Sequence, residues 1–243
     1  MKSILLCEGR TDAGILKYYM EKVNGWQDKG QGEFTIDDLF SREYTKNEDT
    51  LVIAAIGGCS NINRSLSEVM QYNRNQFLTE NTFAKVAVVT DHDDEDTAEE
   101  VLRGIEGLFD EFRCEKEKNI CNNQWTKISY KSNPGKMMQL SLLPLILPFD
   151  ETGAIESFLL NAIADEDSYD KVIIDKGNSF VDQIDPEKRY LNHRRIMLKA
   201  KYEVFFSIRA TAEKHNDRHN VMKKIPWETF MDVQRDFIRL GEL

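Results

Sequence analysis

Three acidic residues stand where an apolar run stops: Glu8 after residues 3–7, and Asp91 and Asp93 after residues 84–90. Between them, Gly57 and Gly58 end the apolar run 51–56. In open parallel sheets, ligands bind beyond the carboxyl ends of strands, where strand-to-helix turns present side chains and free amides. Glu8, Asp91 and Asp93 therefore converge on one edge. Carboxylates crowded there repel one another unless a hard cation neutralises them, and octahedral Mg²⁺ with oxygen ligands is the usual solution. The chemistry this predicts is that of a metal-assisted site, with Gly57 and Gly58 giving close backbone approach.

The elements that must position these residues follow from apolar periodicity. Residues 3–7 form a strand, and Thr11 or Asp12 caps a helix over about 13–23 in which Ile15, Leu16, Tyr19 and Met20 share a face. Residues 51–56 and 84–90 begin two further strand-turn-helix units, with helices over about 60–77 and 97–112. Residues 138–147, interrupted by Pro144, supply a fourth core strand, and 125–130 a short edge strand. An amphipathic helix follows Glu156 to about 164. The expected fold is α/β: a four-stranded, mostly parallel sheet flanked by helices over residues 1–165, plus a basic helical annex over 166–243. Residues 24–50 lack a sustained period and read as an insertion or long loop, with a short helix near 37–40.

Composition narrows the function classes. No apolar run reaches the roughly 18 residues of a membrane span, and four scattered cysteines without a CxxC pair argue against a disulfide framework, so the cytoplasm is the default compartment. A net charge of −10 excludes a protein that coats nucleic acid by charge alone. The charge is unevenly distributed, however: residues 183–224 carry eleven Lys and Arg against five Asp and Glu. Arg194 and Arg195 in this segment could guide a phosphate backbone to the acidic site, or dock an acidic protein face.

Taken in order, Leu5-Leu6-Cys7-Glu8-Gly9-Arg10-Thr11-Asp12, Ile56-Gly57-Gly58 and Val88-Val89-Thr90-Asp91-His92-Asp93 resemble the Toprim family over roughly residues 1–165. Within it the likeness is to the overcoming-lysogenisation-defect (OLD) nucleases and their small stand-alone relatives. The resemblance implies a Rossmann-like Toprim fold and Mg²⁺- or Mn²⁺-dependent phosphodiester hydrolysis by two ions. Glu8, Asp91 and Asp93 would hold one ion, and Asp12, Asp91 and Glu156 the other. Ala154 replaces a serine that the relatives carry two residues before their counterpart of Glu156. A C-terminal lysine, Lys199 or Lys201, would neutralise charge developing on the phosphate.

OLD proteins join this domain to an ATPase, whereas this chain has no Gly-x-x-x-x-Gly-Lys-Ser/Thr loop. The resemblance implies the nuclease effector of a phage-defence system controlled by a separately encoded ABC-type ATPase, acting on DNA or RNA, with tRNA as one candidate target. A homodimer is left open, and so is a catalytically idle module that docks on such a partner. Each feature also has a plainer account. Glu8 could cap a helix or pair with Arg10, Asp12 could be a cap alone, and Asp94, Glu95 and Asp96 fit a solvated helix start. His215-x-x-x-His219 has metal-pair spacing, with Cys114 and Cys121 as further zinc ligands, but its polar surroundings favour a solvated helix end.

Overall fold

The structure, a computed structural model, describes residues 1–32, 34–36, 40–214 and 217–243. The first half runs β1 (Lys2–Cys7), α1 (Arg10–Lys22), β2 (Gln27–Gly30), β3 (Ser41–Lys46), β4 (Asp49–Ala55), α2 (Ile62–Asn75), β5 (Phe83–Asp91) and α3 (Thr97–Glu111). It continues through β6 (Glu115–Lys116), β7 (Thr126–Lys131), β8 (Met137–Leu147), α4 (Ile155–Glu166), α5 (Ser168–Ile184), α6 (Arg194–Thr211), α7 (Arg218–Lys224) and α8 (Met231–Phe237).

All eight strands form one mixed sheet in the order β2-β3-β4-β1-β5-β8-β7-β6. Its centre is parallel: β1 lies between β4 and β5, and β8 pairs with β5. These four are the strands whose apolar runs stand out in the sequence, because a strand covered on both faces has no polar side to show. Leu5, Ile53, Val89 and Leu145 point to one layer, formed by α1, α4 and the C-terminal helices. Ile4, Leu6, Val52 and Val88 point to the other, under α2 and α3.

The expected four-stranded sheet is corrected to eight strands by antiparallel additions at both edges. On one side, residues 24–50 are not simply a long loop. They supply β2 and β3, with β3 paired to β4 along its length. An edge strand needs little apolar content, and Tyr44 is the large side chain β3 buries, so no alternation betrays it. The short helix expected near 37–40 lies largely outside the described residues.

The C-terminal helices share the core of the sheet. Tyr202, Phe205, Phe206, Trp227 and Phe237 belong to the same apolar cluster as Leu5 and Ile53. Their packing brings the N-terminal end of α6 over the strand ends. Among the described residues, no helix is long and apolar enough to cross a membrane.

Candidate metal centre

Glu8 follows the last residue of β1 and is buried. The β4–α2 turn wraps around it: the Gly57 and Gly58 amides donate to its carbonyl at 2.9 and 3.0 Å. Both glycines have positive φ, 80° and 121°, which a side chain would disfavour. The turn then aims the Cys59 amide at Oε2, 3.1 Å away. Oε1 accepts from the Thr90 hydroxyl at 2.5 Å and the Asp91 amide at 3.0 Å. The Arg195 guanidinium completes the set, 2.8 Å from Oε2. Three hydrogen bonds and one ion pair thus compensate this carboxylate.

Asp12, Asp91 and Glu156 are in the opposite condition. Each is at most 3% exposed. Asp12 Oδ2 accepts from the Gly9 amide at 2.6 Å in the first turn of α1, and Asp91 Oδ1 from the Ile155 amide at 2.9 Å at the start of α4. Asp12 Oδ1, Asp91 Oδ2 and both oxygens of Glu156 have no hydrogen-bond partner among the described residues. Burial, reinforced by the charges of Asp12 and Glu8, pushes the Asp91 carboxyl up to about 8. Burial and the charge of Asp12 push Glu156 up to about 7, and Asp12 is raised by burial against its own amide bond. Buried carboxylates with unmet lone pairs are costly unless they take up a proton or a cation.

The helix starts that carry two of these residues are built locally. Gly9 is the N-cap of α1, so Asp12 falls in its first turn rather than before it, and one oxygen reaches back to the cap amide while the other stays free. In α4 the cap is Ala154, whose amide and carbonyl are both bonded by Ser157 Oγ, at 3.0 and 2.7 Å. Both helix starts face negative charge, the favourable sense for their dipoles.

Asp93 is half-buried, and its carboxyl is raised by burial and by the charge of Glu8. Its loop is tied to the β8–α4 connection. The His92 amide donates to the Leu147 carbonyl at 2.7 Å, and the Gly153 amide to the His92 carbonyl at 2.8 Å. A Cβ on Gly153 would lie 3.0 Å from Pro148 Cδ, so a side chain here would have to push the proline ring aside. Arg194 clamps both loops, donating to the carbonyls of Asp93 and Thr152. Beside them runs a cleft of about 330 Å³ lined by Cys59, Ser60, Asn63, Asp93 and Thr97.

Of the two candidate lysines, only Lys199 faces the acidic residues, its ammonium 4.0 Å from Glu156 Oε1. Lys201 is turned away from them and pairs with Asp182 of α5 at 2.8 Å, because two residues along a helix is more than half a turn. Arg195, expected to meet substrate, meets Glu8. Asp94 accepts from the Thr97 hydroxyl at 2.8 Å, a local bond at the start of α3. His219 pairs with the Tyr18 hydroxyl, while His215 lies outside the described residues. Thr90 and the amides of Cys59 and Ile155 were missed, amides having no signature in a sequence. Among the described residues, no three His, Cys, Asp or Glu side chains are close enough to grip a metal ion as they stand.

Fold and site together define an α/β protein with a buried carboxylate cluster at the ends of its parallel strands. Residues 2–238 match the model of the family described as "Protein of unknown function (DUF3226)", and the chain belongs to that family. Comparison with curated proteins gives no match. Among solved structures, the chain is similar to hypothetical protein PH0156 from Pyrococcus horikoshii OT3, at 17% identity and a TM-score of 0.53, covering 99% of this chain and 98% of that one. That likeness concerns the fold alone. A lactoylglutathione lyase from Agrobacterium tumefaciens aligns at 9% identity over 58% of this chain and 91% of its own, with a TM-score of 0.19 that carries no argument.

Proposed function

We propose that this chain is a Mg²⁺- or Mn²⁺-dependent phosphodiesterase of Toprim type, close to the OLD nucleases, acting on nucleic acid. One observation carries the proposal: four unsatisfied, buried carboxylate oxygens on Asp12, Asp91 and Glu156, next to Glu8 at the ends of the parallel strands. The assignment to Toprim rests on the order of motifs, Glu8 after β1, Gly57-Gly58 after β4 and Asp91-x-Asp93 at the end of β5.

The donor set fits hard divalent ions, being oxygen-only, anionic and short of partners. Side-chain movements are needed to close it. Asp12, Asp91 and Glu156 would hold one ion, and Glu8, Asp91 and Asp93 the other. Two such ions, when bound, supply an activated water and neutralise the leaving oxygen. The chain's own groups do the remaining work. Lys199 places a fixed cation beside Glu156, where charge on a phosphate can be offset. Arg194 holds the two site loops at fixed spacing, and the cleft beside Asp93 gives a strand room to approach.

The test is a cleavage panel on plasmid, single-stranded DNA and tRNA with Mg²⁺ or Mn²⁺. Metal-dependent cleavage, lost in Glu8→Gln and Asp91→Asn, is expected; equal cleavage by either variant would overturn the proposal. Metal binding without turnover would instead favour a module that docks on a partner. An ABC-type ATPase encoded nearby is the proposed partner in phage defence, and copurification with it is the corresponding check.

A further inference from the structure

The two halves of the acidic cluster are in different states. Asp12, Asp91 and Glu156 keep lone pairs free, whereas Glu8 accepts three hydrogen bonds and is ion-paired with Arg195, whose guanidinium stands 2.8 Å from Oε2. Any ligand that needs Glu8 must first displace that guanidinium. The arginine can leave: its side chain is 34% exposed, and among the described residues its close carboxylate contact is the ion pair with Glu8. The neighbouring Arg194 stays anchored on the carbonyls of Asp93 and Thr152. The start of α6 can therefore hold still while Arg195 swings.

We infer that the site is assembled in two stages with Arg195 as the latch. The Asp12, Asp91 and Glu156 half accepts a divalent cation in the resting protein, and the Glu8 and Asp93 half opens only when Arg195 exchanges Glu8 for a substrate phosphate. This rests on the proposed phosphodiesterase function. The exchange is close to balanced, since an anionic phosphate oxygen replaces the anionic carboxylate oxygen that the guanidinium gives up. Its consequence is that a complete set of cations is present only beside a bound phosphate. The freed Glu8 and Asp93 then lack their guanidinium counter-charge and attract a second cation.

Mn²⁺ binding to the full chain, followed by isothermal titration calorimetry and equilibrium dialysis, tests this without reference to cleavage. The probe for the phosphate is a phosphorothioate oligonucleotide. The wild type should bind one ion alone and two with the oligonucleotide. Arg195→Gln should bind two without it, the second tightened on the order of tenfold by removing a positive neighbour, and should hold the oligonucleotide less tightly. Two ions in the wild type alone, or no oligonucleotide-dependent second ion, would overturn the latch; the wild-type arm holds even if the variant folds poorly. The underlying function fails separately: no Mn²⁺ bound to wild type or Arg195→Gln, or undiminished binding in Asp91→Asn, removes the metal site itself.

Discussion

Glu8 and Glu156 show how two buried glutamates in one cluster acquire different properties from their neighbours. Glu8 is compensated by amides, a hydroxyl and a guanidinium; among the described residues neither oxygen of Glu156 has a hydrogen-bond partner, and the Lys199 ammonium is 4.0 Å away. The sign of the resulting pH dependence follows. An acid whose pKa rises on folding favours the folded state while protonated. That contribution is full below its unfolded value of about 4 and is lost as pH rises through the folded values, about 7 for Glu156 and about 8 for Asp91. Without metal, the melting temperature should fall by roughly 5–10 °C between pH 5 and pH 9. Mn²⁺ should restore it most strongly at the alkaline end, and Asp91→Asn should flatten the metal-free curve. Melts in EDTA and in Mn²⁺ across this range decide it; a flat wild-type profile would contradict the burial of uncompensated carboxylates. Lys199→Ala should lower cleavage by on the order of 10²-fold or more. Lys201→Ala should leave it unchanged and cost no more than about 1 kcal/mol, the scale of a partly exposed ion pair.

At the scale of elements, the site is made by turns. The Gly57-Gly58 turn closes on the Glu8 carbonyl with two amides and delivers a third to its carboxylate. Gly58→Val, at φ 121°, should cost about 1–3 kcal/mol in urea unfolding and weaken, through Glu8, the second Mn²⁺ that binds beside the oligonucleotide. A stable variant with normal metal affinity would show the turn to be a spacer only. The Gly-Gly pair was visible in the sequence as a sharp stop to an apolar run, but its direction was not. The four parallel strands were legible to within a residue or two, because burial on both faces demands continuous apolar runs. β2, β3 and β6 were not, because an edge strand can be polar and short and still satisfy its backbone by pairing. The lysine was undecidable at this level: 199 and 201 lie on one helix, and only the way α6 docks selects between them.

Across the whole molecule, the basic C-terminal segment is part of the main core. Phe206 and Trp227 are fully buried in the cluster that contains Leu5 and Ile53. Trp227→Ala should therefore cost about 3–5 kcal/mol, and unfolding followed by fluorescence and by circular dichroism should coincide in one transition. A C-terminal segment that melted separately would refute the shared core. The arrangement has a functional side: α6 brings Arg195 to Glu8 from the other end of the chain, and Arg194 and Lys199 to the loops and helix start around Asp93, Thr152 and Glu156. The acidic net charge of the chain is thus offset at the place where phosphate chemistry would need it.

The sequence by itself determined the central strands and the acidic residues at their ends, since both are written in local residue type and period. It also pointed to Asp12 and Glu156 through the resemblance of ordered motifs. Tertiary structure decided which oxygens are free, which lysine faces them and that Arg195 covers Glu8. Those are properties of side chains from distant segments meeting at one edge, and they depend on helix docking and backbone amides that no local pattern encodes.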